Sequence, residues 1–423
     1  MPVAAAFRPN RSLQVFFCLG CIAIALFYGW SVTRAYLASR LASPPAELSL
    51  QRAMALEPEN ALYPYTLGQY LMLGVQRIDG AVAPLQRATE LNPHNSTYWL
   101  DLALAYYLAG DTRHQRQALE SAIAVDPTSP VVAWNAANFF LVQGDVSAAL
   151  RQFLVVLKYD PGQVRPALDL CWRALHDPAA IINILPPDPE VYLQLVKLLS
   201  ERHEADAAYS VWSALWQLNL PFDYRHAMFY VDDLIQQRNV ARAAEVWKQI
   251  TSRSLTLSRY ATNDNLVGDS KFSEEILNGG FGWRFDARPG VAVSLDTAQF
   301  HSGTRSVMVD YSDRGDDVGL YQYVPVQPHT RYVLSAWVKS EDLETANGPR
   351  IAAFDVYDNT TLATAEETVG TTEWHRVEVP FETGPATELI AVRFIRNPGT
   401  TLIHGQFWID EVAVTPADSS PAK

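Results

Sequence analysis

The 423-residue sequence is poor in cysteine, with only Cys18, Cys21 and Cys171. The first two lie in an apolar run and the third stands alone in a helical stretch, so neither a disulfide framework nor a zinc-ligand spacing can be drawn. A basic surplus is also missing. Lys and Arg number 33 against 46 Asp and Glu, a formal charge of −13, and between Ser273 and Pro416 ten Lys and Arg stand against 21 Asp and Glu. Such a surface repels phosphate backbones and anionic lipid, which argues against nucleic acid as a partner. Catalytic motifs are absent too: there is no Gly-x-Ser-x-Gly elbow, no phosphate loop, no dinucleotide fingerprint after a strand and no His-Glu-x-x-His. A polysaccharide hydrolase would need two carboxylates across a cleft. No pair among the acidic residues identifies itself in that role, and the chain reads as a non-enzyme.

What is present begins with 22 uncharged residues between Arg11 and Arg34. That length crosses a hydrocarbon core as a helix, and Tyr28 and Trp30 fall near one end, where interfacial aromatics sit. The run is too long for a cleaved signal peptide, and "ASRLASPP" after it offers no good cleavage site. The expectation is a short tail (residues 1–11), then a single transmembrane helix (12–34). Arg8 and Arg11 before it nearly balance Arg34 and Arg40 after it, which leaves orientation open. A short N-terminal tail ordinarily stays inside, so the expected location is a bacterial inner membrane with the rest of the chain in the periplasm.

The next segment repeats. Pro58, Pro93, Pro127 and Pro161 close four similar stretches at spacings of 35, 34 and 34 residues. Ala88, Ala122 and Val156 lie five residues before a proline, and Leu85, Leu119 and Phe153 lie eight before. Trp99, Ala103 and Tyr106 in one unit correspond to Ala133, Ala137 and Phe140 in the next, and "AGD" and "QGD" place a glycine stop between two helices. Small residues let paired helices approach, large ones fill the gap, and proline ends the second helix. Period, small residues, aromatics and proline together resemble the tetratricopeptide-repeat family. The expectation is an α-solenoid of tetratricopeptide-type helical hairpins over residues 43–253, irregular at Asp177–Glu190. Trp212 and Trp247 align at an offset of 35 near its end. The resemblance implies a protein partner held in the groove lined by each first helix, which nominates Tyr65, Gln69, Asp101, Trp134, Asn135 and Asn138. A solvated groove wall is the competing reading of each.

After a polar linker (254–272) the period changes to two. In "RYVLSAWVKS", Tyr332, Leu334, Ala336 and Val338 alternate with Val333, Ser335, Trp337 and Lys339, and several further short strands follow. The expectation is an antiparallel β-sandwich over 273–416, then a tail (417–423). "NGGFGW", "HSGTRSVMVDY", "YQYVPVQPHTRYVLSAWVKSEDL" and "FWIDEV" resemble the jelly-roll modules of the galactose-binding-like class, among them many non-catalytic carbohydrate-binding modules. By that resemblance Gly279, Gly280 and Gly282 mark the entry of a β domain, not a phosphate cradle. The resemblance implies stacking of sugar rings on aromatics, with Trp337, Tyr321, Tyr323 and Trp283 as candidates; core packing is the alternative for each. It also implies a structural calcium with Asp410 as one ligand, although Gly282 stands where the family often has Glu. The whole reads as a multidomain α + β chain: a membrane-anchored scaffold whose repeats bind a protein partner and whose jelly roll binds polysaccharide, with a role in envelope or exopolysaccharide assembly. The alternative is an interaction protein whose sandwich packs on the repeats without sugar, and a hydrolase is the third class.

Overall fold

The computed structural model describes residues 11–396 and 401–417, so Arg8 and most of both tails lie outside it. The first helix, α1 (Arg11–Leu41), is long and apolar enough from Gln14 onward to cross a membrane, and its apolar window is wholly exposed. It does not stop at Arg34, where the charge pattern would end it. Nothing between Arg34 and Leu41 breaks a helix, and Ala38 is fully buried against Ala53 and Tyr63, with Leu41, Met54 and Leu56 packed around them.

The hairpins follow: α2 (Glu47–Leu56), α3 (Leu62–Gln69), α4 (Ile78–Leu91), α5 (Ser96–Leu108), α6 (Thr112–Val125), α7 (Pro130–Val142) and α8 (Val146–Tyr159). The second helix of each of these units ends two residues before its proline, as the loss of the proline N–H requires. Gly110 and Gly144 take left-handed φ angles of 76° and 74°, closing α5 and α7. Asp111 and Asp145 then cap α6 and α8 by accepting from the amides of His114 and Ala148, both at 3.1 Å. Leu85, Ala88, Ala122, Phe153 and Val156 are fully buried between the paired helices. The small position extends one unit further back than the sequence pattern indicated. Gly68 stands 35 residues before Ala103, and a Cβ on it would come 2.4 Å from Leu85 Cγ. Beyond Pro161 come α9 (Val164–Leu175), the short α10 (Pro178–Ile182), α11 (Pro189–Glu201), α12 (Ala205–Leu218), α13 (Met228–Gln236) and α14 (Val240–Arg253).

Two compact units result. One holds the chain through Leu198 together with Ser210–Leu218; the other holds Leu199–Tyr209 and everything from Asn219 onward. The last helical hairpin, α13–α14, therefore belongs to the same unit as the β domain.

That domain contains β1 (Trp283–Phe285), β2 (Val291–Asp296), β3 (Ser306–Tyr311), β4 (Asp317–Pro325), β5 (Arg331–Glu344), β6 (Arg350–Asp355), β7 (Thr361–Thr364), β8 (Gly370–Glu382), β9 (Leu389–Ile395) and β10 (His404–Pro416). They form two five-stranded antiparallel sheets, β1-β4-β9-β6-β7 and β2-β3-β10-β5-β8. Tyr332, Leu334, Ala336 and Val338 are buried between the sheets. The polar stretch before β1 is only partly a linker. Asn265 bonds Val412 O and the amide of Val414, Leu266 N donates to Val414 O, and Val412 N donates to Ser270 O. Gln322, fully buried on β4, pairs its side-chain amide with both N and O of Gly268 at 2.9 Å, as a neighbouring peptide would. Residues 265–272 are thus stitched into the sandwich by side-chain amides, which strand periodicity does not register.

Candidate functional site

Strand register sets out the exposed face of the β1-β4-β9-β6-β7 sheet. Arg284, Tyr321, Arg393 and Ala352 stand opposite one another across four strands, and Tyr323, Ala391 and Phe354 form the next row. Alanine between aromatics leaves a floor with walls. The result is a cleft of about 240 Å³ lined by Tyr321, Tyr323, Phe354, Ala391, Arg393 and Asp286, with Arg288, Asp355 and Asn359 at its margin. Tyr321 and Tyr323 meet edge to face with centroids 5.4 Å apart. Burial, then the neighbouring Tyr323 and Asp286, push the Tyr321 hydroxyl above its ordinary range, so it stays a neutral donor. The Arg393 guanidinium lies 5.2 Å over the Phe354 ring and pairs with Asp317. Arg284 lies 5.2 Å over Tyr323 and pairs with Asp232. Both cations are therefore offset by carboxylates, and Asp286 stands in the same cleft as Arg288. Half-exposed aromatic rings with charge-balanced hydrogen-bonding groups suit an uncharged, hydroxyl-rich ligand with apolar faces.

The other aromatic candidates fall elsewhere. Trp283 is fully buried: its ring tilts against Phe272 at 4.8 Å and its Nε1–H donates to Asp269 O, so it is a core residue and cannot meet a ligand. Trp337 points out of the opposite sheet, away from the tyrosine pair. The His301 ring covers it, with centroids 3.7 Å apart and planes 11° apart, and Trp374 lies 5.9 Å from His301. Sequence reading missed Phe354 and Arg393, because only the pairing of β6 and β4 with β9 brings them beside the tyrosines.

Asp410 is fully buried, and its carboxylate accepts from the amides of His301, Ser302 and Glu411 at 2.7–2.8 Å. Burial pushes its pKa up against the pull of those donors. Calcium takes six to eight oxygen ligands, whereas the groups around the Asp410 carboxylate are three N–H donors, two on Oδ2 and one on Oδ1. Among the described residues no group of three His, Cys, Asp or Glu could hold a metal ion. The surroundings of Asp410 do not fit a calcium ligand, and its carboxylate instead anchors the loop before β3. At the position of the missing acidic partner, a Cβ on Gly282 would crowd Leu277, 2.8 Å from its Cδ1 and 3.0 Å from its Cβ.

In the helical unit the six groove candidates separate. Tyr65 Oη donates to Asp101 Oδ2 at 2.7 Å, Gln69 Nε2 bonds both, and the Tyr65 ring stacks on Tyr98 at 4.4 Å. These three groups satisfy one another and clamp α3 to α5. Trp134 packs edge-on against Phe153 at 6.1 Å, inside its own hairpin. Asn135 and Asn138 do line an open cleft of about 530 Å³, with Leu104, Tyr107, Gln115 and Val142. Each also donates an N–H to its own helix four residues back, at 2.8 Å.

Residues 264–399 match the family model described as "Carbohydrate binding domain", which covers the β domain and not the helical hairpins. Over those residues the C-terminal part of the chain is similar to carbohydrate-binding domains. Among solved structures, a crystal structure of MamA is 14% identical, with a TM-score of 0.27, covering 40% of this chain and 84% of that one. The CBM22-1 xylan-binding domain of Paenibacillus barcinonensis Xyn10C is 16% identical, with a TM-score of 0.24, covering 33% and 88%. PilF of Pseudomonas aeruginosa is 19% identical, with a TM-score of 0.26, covering 45% and 90%. Likenesses of this size carry no functional argument. No curated protein sequence matches the chain.

Proposed function

We propose that the protein is a non-catalytic scaffold held at a membrane by α1, with helical hairpins that hold a protein partner and a β domain that binds a neutral polysaccharide. The observation that supports the glycan half is the cleft itself: within the matched domain, Tyr321, Tyr323 and Phe354 wall an alanine floor on an open sheet face. The support for a partner is the open, uncharged cleft at Asn135 and Asn138. Membrane attachment rests on the length and apolar character of α1. A bacterial inner membrane, with the remainder in the periplasm and serving envelope or exopolysaccharide assembly, is the setting we attach to this reading. The test is affinity electrophoresis of the detergent-solubilised full chain through gels containing soluble xylan, mixed-linkage β-glucan or mannan, beside a glycan array. Retardation that disappears in Tyr321→Ala and Tyr323→Ala is the expected result. No binding to any glycan overturns that half of the proposal.

One observation favours a second reading, in which the β domain serves as a packing partner only. The α13–α14 hairpin is docked on it through Trp247 against Phe281 and through Tyr357 Oη donating to Ile235 O at 2.7 Å. That reading predicts unretarded migration of the wild type and of both tyrosine variants in every gel, with partner capture retained after the tyrosine substitutions.

A further inference from the structure

The glycan cleft lies on the sandwich, yet one of its rims is held from a helix. Asp232 on α13 accepts from the Gly280 amide at 2.9 Å and pairs with the Arg284 guanidinium. Arg284 in turn donates to Gly280 O at 2.7 Å and lies over the Tyr323 ring. Its side chain is 14% exposed, which leaves it little freedom to leave that place. Two residues beyond α13, Arg238 lies 4.8 Å over the ring of Tyr357, whose hydroxyl is bonded to Ile235 O, so a second aromatic beside the cleft strand β6 is also fixed from α13. Gly280 takes a left-handed φ of 56°, and a Cβ there would come 2.3 Å from the Trp247 ring, so the turn can lie this close to the hairpin only as glycine.

We infer that α13 is a working part of the glycan site. Asp232 is a positioning residue that holds Arg284 over Tyr323, so affinity for a neutral polysaccharide is set jointly by the last helical hairpin and the sandwich. This rests on the tyrosine cleft being the glycan site. The physical reason is pre-organisation. A guanidinium fixed by a partly buried carboxylate keeps the tyrosine ring in one orientation, and ordering a free side chain on binding would subtract from affinity.

The test measures affinity of the full chain for soluble xylan, mixed-linkage β-glucan and mannan, in the wild type and in Asp232→Ala, Asp232→Glu, Arg284→Ala and the Asp232→Ala/Arg284→Ala double variant. Asp232→Ala and Arg284→Ala should each weaken binding about tenfold, the double variant should be no weaker than either single one, and Asp232→Glu should recover most of the loss. Ile250→Ala opens a cavity under α14 without touching the Asp232, Gly280 and Arg284 cluster; it should lower the melting temperature while the folded protein keeps wild-type affinity. If Tyr321→Ala and Tyr323→Ala abolish binding but Asp232→Ala binds as wild type, the inference is overturned and the glycan site stands. If Ile250→Ala weakens binding as much as Asp232→Ala, positioning by Asp232 is overturned in favour of general loosening. If the wild type binds none of these glycans, the glycan reading fails and the inference with it.

Discussion

The imidazole of His301 lies flat on the indole of Trp337, 3.7 Å away and 11° from parallel, so one face of the indole is already covered by the chain's own side chain. His301 is held there from both sides: its amide donates to Asp410, and its ring nitrogen approaches Glu411 Oε2 at 3.4 Å. Trp337→Ala should therefore leave glycan retardation unchanged, in contrast to Tyr321→Ala. Loss of retardation in Trp337→Ala with Tyr321→Ala unaffected would move the site to the opposite sheet.

Gln322 makes a prediction about stability. Its buried amide forms a two-way pair with Gly268, and replacing it with Leu strands both peptide groups without water. A buried unsatisfied donor or acceptor costs about 1–3 kcal/mol, so Gln322→Leu should destabilise the β domain by about 2–4 kcal/mol in denaturant titration. Backbone amides of residues 265–272 should lose hydrogen-exchange protection first.

A third prediction concerns Gly68 and the repeat packing. With Leu85 Cγ 2.4 Å from where a Cβ would stand, Gly68→Ala must push α3 away from α4. Overpacking of this kind costs about 1–3 kcal/mol. The same substitution at Gly20, which has nothing within 4 Å, should be neutral in the same melting experiment.

Acid sensitivity follows from Asp355. Burial alone would raise its pKa, but donors from Thr387 at 2.5 Å and from the amides of Tyr357 and Asp358 outweigh it and hold the carboxyl below the ordinary 3.8. A folded pKa below the unfolded one means the unfolded chain takes up the proton first as pH falls. The contribution is present above about pH 4 and is lost as pH drops through and below that value. The melting temperature of Asp355→Asn should start lower at neutral pH and fall less steeply than the wild type between about pH 5 and 3.

The helical half was legible because its units repeat local instructions, a closing proline in four of them and a glycine stop with an aspartate cap at Gly110–Asp111 and Gly144–Asp145, and local instructions survive in sequence. Alternation in β5 likewise put Tyr332, Leu334, Ala336 and Val338 on one face, and that face is the interior. The cleft was half legible. Tyr321 and Tyr323 are two apart on one strand, so their shared face is a property of β4 alone. Phe354 and Arg393 join them only through pairing across β9, a non-local fact. Trp283 was misplaced because a three-residue strand offers no alternation from which to tell inside from outside. Asp410 carried the sign of a metal ligand, but its lone pairs serve the amides of a loop more than 100 residues away in sequence, which no spacing announces.

The unbroken run of α1 from Gln14 to Leu41 has a geometric consequence. An α-helix turns about 100° per residue, and the face on which Ala38 meets Ala53 and Tyr63 is fixed. The azimuth of the apolar segment relative to the first hairpins is therefore fixed as well. One alanine inserted between Trp30 and Arg34 would swing every residue before it by about 100° around the helix axis while leaving composition, length class and all packing after Arg34 intact. A helix of this kind acts as a keyed shaft, transmitting the direction in which the hairpins face as well as holding them in place.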